Sequence, residues 1–144
     1  MKDKNLKHLQ NTIRNPGFNT LMDALGIEVT YLGMDGMRAT MPVDHRTVQY
    51  YNMLHGGASV ALAETLASCA GAIHIDLEKQ RIVGLEINAN HIRGVPGGQG
   101  LKVHAEAKPI HIGRKTQVWA IDIVNDEGKT VCISRCTLAV VDKL

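Results

Sequence analysis

A single charge interrupts the most apolar helix this chain can form. From residue 56 to 72 the sequence reads GGASVALAETLASCAGA, and Glu64 is its only charged side chain. A helix that is apolar on nearly all sides is a buried helix, so the rest of the chain must wrap around it. A carboxylate in such a helix is costly unless it is paired, protonated or open to a cleft. Placements of this kind concentrate at functional sites. The plainer alternative is a carboxylate at a rim or bend of the helix, satisfied by backbone or solvent.

The flanking sequence supplies the wrapping. Residues 4–25 read as helical in two pieces split by Asn15-Pro16-Gly17, with Gly26 ending the second. Residues 27–32 and 37–43 alternate as strands around the turn Met34-Asp35-Gly36. Asp44 to Asn52 is polar and irregular and leads into the helix. Beyond residue 80 the chain is strand-rich, with runs over 81–93, 101–111, 115–124 and 129–141. In the first of these, Ile82, Gly84, Glu86 and Asn88 alternate with Val83, Leu85, Ile87 and Ala89. Gly94 to Gly100 reads as a hairpin turn, because it precedes a strand and not a phosphate-binding helix. The order predicts an α+β fold, one antiparallel sheet against one long helix. No linker divides it. We expect one domain over 26–144 preceded by a helical segment over 1–25.

Composition excludes several function classes. The formal net charge is +2, with Lys and Arg scattered, and there are one Trp, one Phe and three Tyr. That supplies neither a polyanion-binding face nor stacking platforms for nucleic acid. No apolar run reaches the roughly 18–20 residues of a membrane span, and the N-terminus lacks the apolar core of a signal peptide. Three cysteines, Cys69, Cys132 and Cys136, do not make a disulfide framework. A reduced, cytoplasmic protein is expected. Neither H-E-x-x-H nor paired C-x-x-C is present, so no metal site is implied, and the G-x-S-x-G elbow is missing too.

The chemistry therefore gathers around the helix. Glu64 and Ser68 are four apart and share one face. Gly56 and Gly57 open the helix, where free N–H groups favour negative charge and can polarise a carbonyl. His55 precedes them as a cap or a loop histidine. Gln49 and Asn52 lie in the lead-in loop with side chains able to donate hydrogen bonds, and His91 follows Asn88 and Asn90 in the 81–93 run. Gly56 and Glu64 are eight residues apart, about 12 Å along one helix. One helix cannot place both on a single carbonyl group. Two antiparallel helices across a two-fold axis can, which predicts a symmetric dimer with composite sites.

The run QYYNMLHGGASVALAETLAS, Gln49 to Ser68, resembles the signature of hotdog-fold acyl-thioester hydrolases. The most similar branch is that of the 4-hydroxybenzoyl-CoA and phenylacetate-pathway thioesterases, close to the enterobactin-pathway proofreading and dihydroxynaphthoyl-CoA enzymes. Met41-Pro42-Val43-Asp44, Gly84 to His91 and His111-Ile112-Gly113-Arg114 carry the likeness onward. It implies a long central helix wrapped by a curved antiparallel sheet of about six strands, and a homodimer or homotetramer with sites at the dimer interface. It implies a catalytic role for Glu64, with Gly56 as backbone donor to the thioester carbonyl. Gln49 and His55 would orient the thioester or the attacking water, and Ser68 stands one turn beyond the carboxylate. His91, Asn52 and Gly57 would line the substrate, and Arg114 would meet a CoA phosphate. The implied substrate is an acyl-CoA, or the same acyl group on an acyl carrier protein, with no cofactor. Tyr50-Tyr51-Asn52 departs from the Pro-Phe-Gly type of lead-in, so the acyl preference does not carry over. Two other activities use this fold: an enoyl-thioester hydratase or dehydratase, whose histidine loop is usually Pro-rich, and a non-catalytic acyl-CoA-binding protein.

Overall fold

The computed structural model describes residues 1–15 and 17–143. Two helices come first, α1 (Lys2–Arg14) and α2 (Leu21–Leu25). At the start of α2 the Thr20 N–H donates to the Asp23 carboxylate at 2.6 Å. Gly26 ends it at φ 68°, a left-handed conformation that a residue without Cβ adopts freely. Strands β1 (Glu28–Gly33) and β2 (Gly36–Pro42) follow, then the helix α3 (Gly56–Ala72). The chain closes with β3 (Gln80–His91), β4 (Lys102–Ile112), β5 (Thr116–Asn125) and β6 (Thr130–Asp142).

The six strands form one antiparallel sheet in the order β1-β2-β4-β5-β6-β3. The sheet curls around α3, which touches every strand from β2 to β6. Alternation explains the packing: Met37, Ala39 and Met41 on β2, Val103, Ala105 and Ala107 on β4, and Trp119, Ile121 and Ile123 on β5 all point inward and are buried. They meet Leu62, Ala63, Leu66, Ala67 and Ala70 of α3. The small residues bring sheet and helix close, and the leucines fill the space between. Leu62 and Leu66 are fully buried, so truncating either to alanine would cost about 2–5 kcal/mol.

Two expectations need correcting. Gly94–Gly100 is not a hairpin turn, because β3 does not pair with β4. β3 lies at the far edge beside β6, and residues 92–101 cross back over the helix start. There Leu54 N–H donates to Val95 O at 2.8 Å, Gly97 N–H to Asn52 O at 2.9 Å and Gly98 N–H to Val43 O at 2.9 Å. The crossing segment thus braces the lead-in loop of α3. The strict alternation read along β3 also fails, since the pairing register shifts between Gly84 and Glu86. A bulge adds one residue and moves later side chains to the opposite face. Ile82 and Gly84 face the helix before it, and Ile87, Ala89 and His91 after it.

The N-terminal segment docks on the opposite end of the helix. Asn5 Nδ2 donates to the carbonyls of Ile73 at 3.1 Å and Ile75 at 2.6 Å, just past the end of α3. Leu6, Leu9 and Ile13 pack against the core. Among the described residues no helix is long and apolar enough to cross a membrane.

Candidate active site

The start of α3 is organised by His55. Its Nδ1 accepts the Gly57 N–H at 2.8 Å, and its carbonyl accepts the Ala58 N–H at 3.0 Å. That bond assigns the proton of the neutral imidazole to Nε2, on the side away from the helix. The Gly57 N–H is thereby occupied. The Gly56 N–H has no acceptor among the described residues, so it is the free donor at the positive end of the helix. The His91 ring lies against it: a Cβ at Gly56 would stand 3.0 Å from His91 Nε2. Gly56, His55 and His91 therefore gather at one point within a single chain.

Glu64 sits two turns further along, half-buried, with no hydrogen bond or ion pair to any described residue. It is neither sealed in nor compensated. Its carboxylate rests on Gly84 of β3, where even one added carbon would overlap Oε1. Ser68 lies one turn beyond, also half-buried. Cys136 stands across on β6, and burial, reinforced by the charge of Glu64, pushes its thiol up to about 11. It stays a neutral thiol at physiological pH and is no competing nucleophile.

The lead-in loop is held rigidly. Arg46 Nη2 and Nε donate to Asp44 at 2.7 and 3.1 Å, and the guanidinium holds the Asp44 carboxyl down at about 2. Gln49 Oε1 accepts the Tyr51 N–H at 2.8 Å, which leaves its amide group to donate outward. Asn52 is the one non-glycine residue at positive φ among the described residues, 62°, and its amide donates to Gly97 O at 3.3 Å. Asn52 thus shapes the turn. Tyr50 and Tyr51 project from it edge to face, 4.8 Å apart, with Tyr50 97% exposed.

Arg114 is not brought to this end. It lies in the β4–β5 turn beside a groove of about 690 Å³ lined also by Gln80, Lys115, Val140 and Asp142. That turn neighbours the C-terminal end of α3, where Gln117 reaches Gly71. A second groove of about 390 Å³ runs along Asp44, His45, Asn52 and Gly97–Gly100. Neither groove is lined by Glu64 or Gly56.

Gly84 is the residue that reading the sequence for catalysis passes over. Its signal is a glycine inside a strand pattern, which marks a bulge or a close approach.

The chain matches known proteins along most of its length. The Thioesterase superfamily model matches residues 51–132. A 1,4-dihydroxy-2-naphthoyl-CoA hydrolase of Escherichia coli is 45% identical over 124 residues, covering 86% of this chain and 88% of that protein. The proofreading thioesterase EntH of Cronobacter turicensis is 50% identical over 121 residues, covering 84% of this chain and 85% of that protein. The crystal structure of a thioesterase from Haemophilus influenzae superposes with a TM-score of 0.83 at 49% identity, covering 92% of this chain and 90% of that one. With one helix wrapped by a six-stranded antiparallel sheet, the chain belongs to the thioesterase superfamily and is a thioester hydrolase with the hotdog fold.

Proposed function

We propose that the protein hydrolyses an acyl-CoA, or the same acyl group on a carrier protein, at two composite sites of a cytoplasmic homodimer. The observation that carries this reading is the separation of two unsatisfied groups on one helix. The Gly56 N–H and the Glu64 carboxylate both lack partners among the described residues, yet they stand about 12 Å apart. Antiparallel pairing of two α3 helices puts Gly56 of one chain opposite Glu64 of the partner subunit. The edge strand supports such pairing: β3 has one free side, and Val83 and Leu85 on it are 44% and 61% exposed. An uncovered apolar edge is a template for a second strand. Pairing of two dimers would give the homotetramer. The same arrangement brings the C-terminal end of one helix, with its Arg114 turn, toward the Gly56 end of the other, within reach of a CoA phosphate.

In each site the Gly56 N–H and the helix terminus polarise the thioester carbonyl, with Gln49 and His55 donating to the thioester or the water. Glu64 takes a proton from water as the oxygen attacks the carbonyl carbon, or attacks that carbon itself to give an anhydride that water opens. In both routes the C–S bond breaks; the sulfur takes its proton from the protonated Glu64 in the first and from the water that opens the anhydride in the second, and the acyl group departs as a carboxylic acid. Ser68 supports the carboxylate, while His91, Asn52 and Gly57 border the acyl group. Residues 26–144 form the catalytic domain, and residues 1–25 the helical segment docked on it. A screen of thiol release over aryl-, short- and long-chain acyl-CoA substrates identifies the acyl class. Glu64→Gln is the decisive control. We expect a loss of about 10²–10⁴ in kcat with the fold intact, and near-normal turnover would sink the assignment.

A further inference from the structure

Gly84 occupies the middle of a strand, where glycine is a poor choice. It pairs with Leu138 across the sheet, and it is absent from the residues at positive φ. Its backbone therefore does not require glycine, and a glycine inside a strand weakens it. What requires glycine is space. A Cβ at this position would stand 3.3 Å from Glu64 Cδ and 4.0 Å from Glu64 Cγ, and would overlap Oε1. The three nearest atoms all belong to the Glu64 side chain, whose end can move. An added methyl would displace the carboxylate and leave the strand where it is. The bulge beginning after Gly84 fixes this spot further, because it sets which residue faces the helix at the level of Glu64.

We propose that Gly84 is the positioning residue for Glu64. Its bare Cα is the floor on which the carboxylate rests, and it sets how far the carboxylate reaches toward the thioester. This inference rests on the reading of Glu64 as the reacting carboxylate. A general base must come within about 2.6–3.2 Å of the atom that carries the proton it takes, and a displacement of about 1 Å can cost on the order of 10²-fold in rate. The geometry also predicts a compensating change. In Glu64→Asp the carboxyl carbon moves back to about the place of Glu64 Cγ. A methyl at position 84 then lies 4.0 Å away, an ordinary van der Waals contact.

The test is a double-mutant cycle on the dimeric enzyme, with benzoyl-CoA and hexanoyl-CoA as probes of thiol release. Gly84→Ala should lower kcat about 10–100-fold, with KM within a few-fold of wild type. Glu64→Asp should lower kcat by itself, because the carboxylate is withdrawn. Gly84→Ala added to Glu64→Asp should then cost less than about twofold, a strong departure from additivity. Should Gly84→Ala fail to fold alone, it should fold in the Glu64→Asp and Glu64→Ala backgrounds, where the clash is gone. An unchanged kcat in Gly84→Ala overturns the inference. So does an equal loss in both backgrounds, or misfolding in all of them, since glycine would then serve the strand and not the carboxylate. Glu64→Gln separates the two levels. If it stays active the reading of Glu64 fails, whereas an inactive Glu64→Gln beside a fully active Gly84→Ala removes only the role of Gly84.

Discussion

The two ends of α3 treat their polar groups in opposite ways. At the C-terminal end the Gly71 carbonyl accepts from Gln117 Nε2 at 3.2 Å, and Gln117 Oε1 accepts from Trp119 Nε1 at 3.0 Å. Gln117 and Trp119 are both fully buried, and Asn5 closes the carbonyls of Ile73 and Ile75. At the N-terminal end the Gly56 N–H has no acceptor among the described residues, and His55 and His91 are exposed. Buried polar groups must be matched or the fold loses stability, so the closed end holds the helix in place. A donor left free at the positive end of a fixed helix adds little to the fold but can act on a developing oxyanion at no reorganisation cost. Changes at the open end should therefore reduce activity, and changes at the closed end should reduce stability.

The largest expected effect breaks the open end. Gly56→Pro removes the N–H while leaving the helix able to form, because proline is tolerated at the first helical position. His55 before it is already extended, at φ −71° and ψ 127°, as a residue preceding proline prefers. We expect kcat to fall about 10²–10³-fold with an almost unchanged melting temperature. Gly56→Ala keeps the donor and only crowds the His91 ring, so its loss should be much smaller. Equal losses in the two variants would show that the N–H is not the active group. Mixing subunits tests the composite site. Glu64→Gln and Gly56→Pro chains refolded together should recover about a quarter of wild-type activity, because half of the dimers carry one intact site. No recovery would place each site within one chain.

How far the sequence reveals this contrast depends on what each residue's signal is. The helix bounds, the N-terminal helices and the turns at Gly26 and Gly36 follow from local rules and hold in the structure. Glu64 stands out because one charge in an apolar run is conspicuous, and the structure leaves it half-buried, with no partner among the described residues. The path of β3 is different. Its hydrophobic pattern does not say whether it pairs with β4 or with β6, and a glycine-rich connection suits either. The bulge at Leu85 is set by pairing with β6, so the side that His91 faces becomes known only with the partner strand. Gly84 is legible as a glycine in a strand, but its reason lies in a side chain twenty positions earlier. Arg114 shows the same limit, since its turn lies at the other end of the helix from Gly56.

A smaller effect is expected where the closed end is opened. Gln117→Leu puts an apolar side chain of similar size in its place, which leaves the Trp119 N–H without its partner and removes one of the bonds to the Gly71 carbonyl, which keeps the His74 N–H at 3.1 Å. An unsatisfied buried polar group costs about 1–3 kcal/mol, so the denaturant midpoint should fall measurably. Turnover per folded molecule should be unchanged at a temperature where the variant is fully native. A matching fall in kcat would mean that this end communicates with the site and that the division of roles is wrong.

The smallest effect concerns the one exception at the closed end. Both ring nitrogens of His74 are buried with no well-formed hydrogen bond among the described residues, and the ring lies 6.0 Å from Trp119. Burial holds its pKa below the usual 6.5, the charge of Lys2 pushes in the same direction, and a weaker contact with the Met34 backbone opposes them. The unfolded chain binds a proton at His74 near pH 6.5 while the folded chain resists it, so unfolding takes up a proton below that pH. The contribution to stability is complete above pH 6.5 and is lost as the pH falls toward the lowered value. His74→Phe removes the titrating group and keeps a ring against Trp119. Its urea midpoint should therefore decline less than that of the wild type between pH 7.5 and 5.5, with equal activity at pH 7.5. An unaltered decline would assign the acid sensitivity to another group and leave the closed end as fully satisfied as its other contacts suggest.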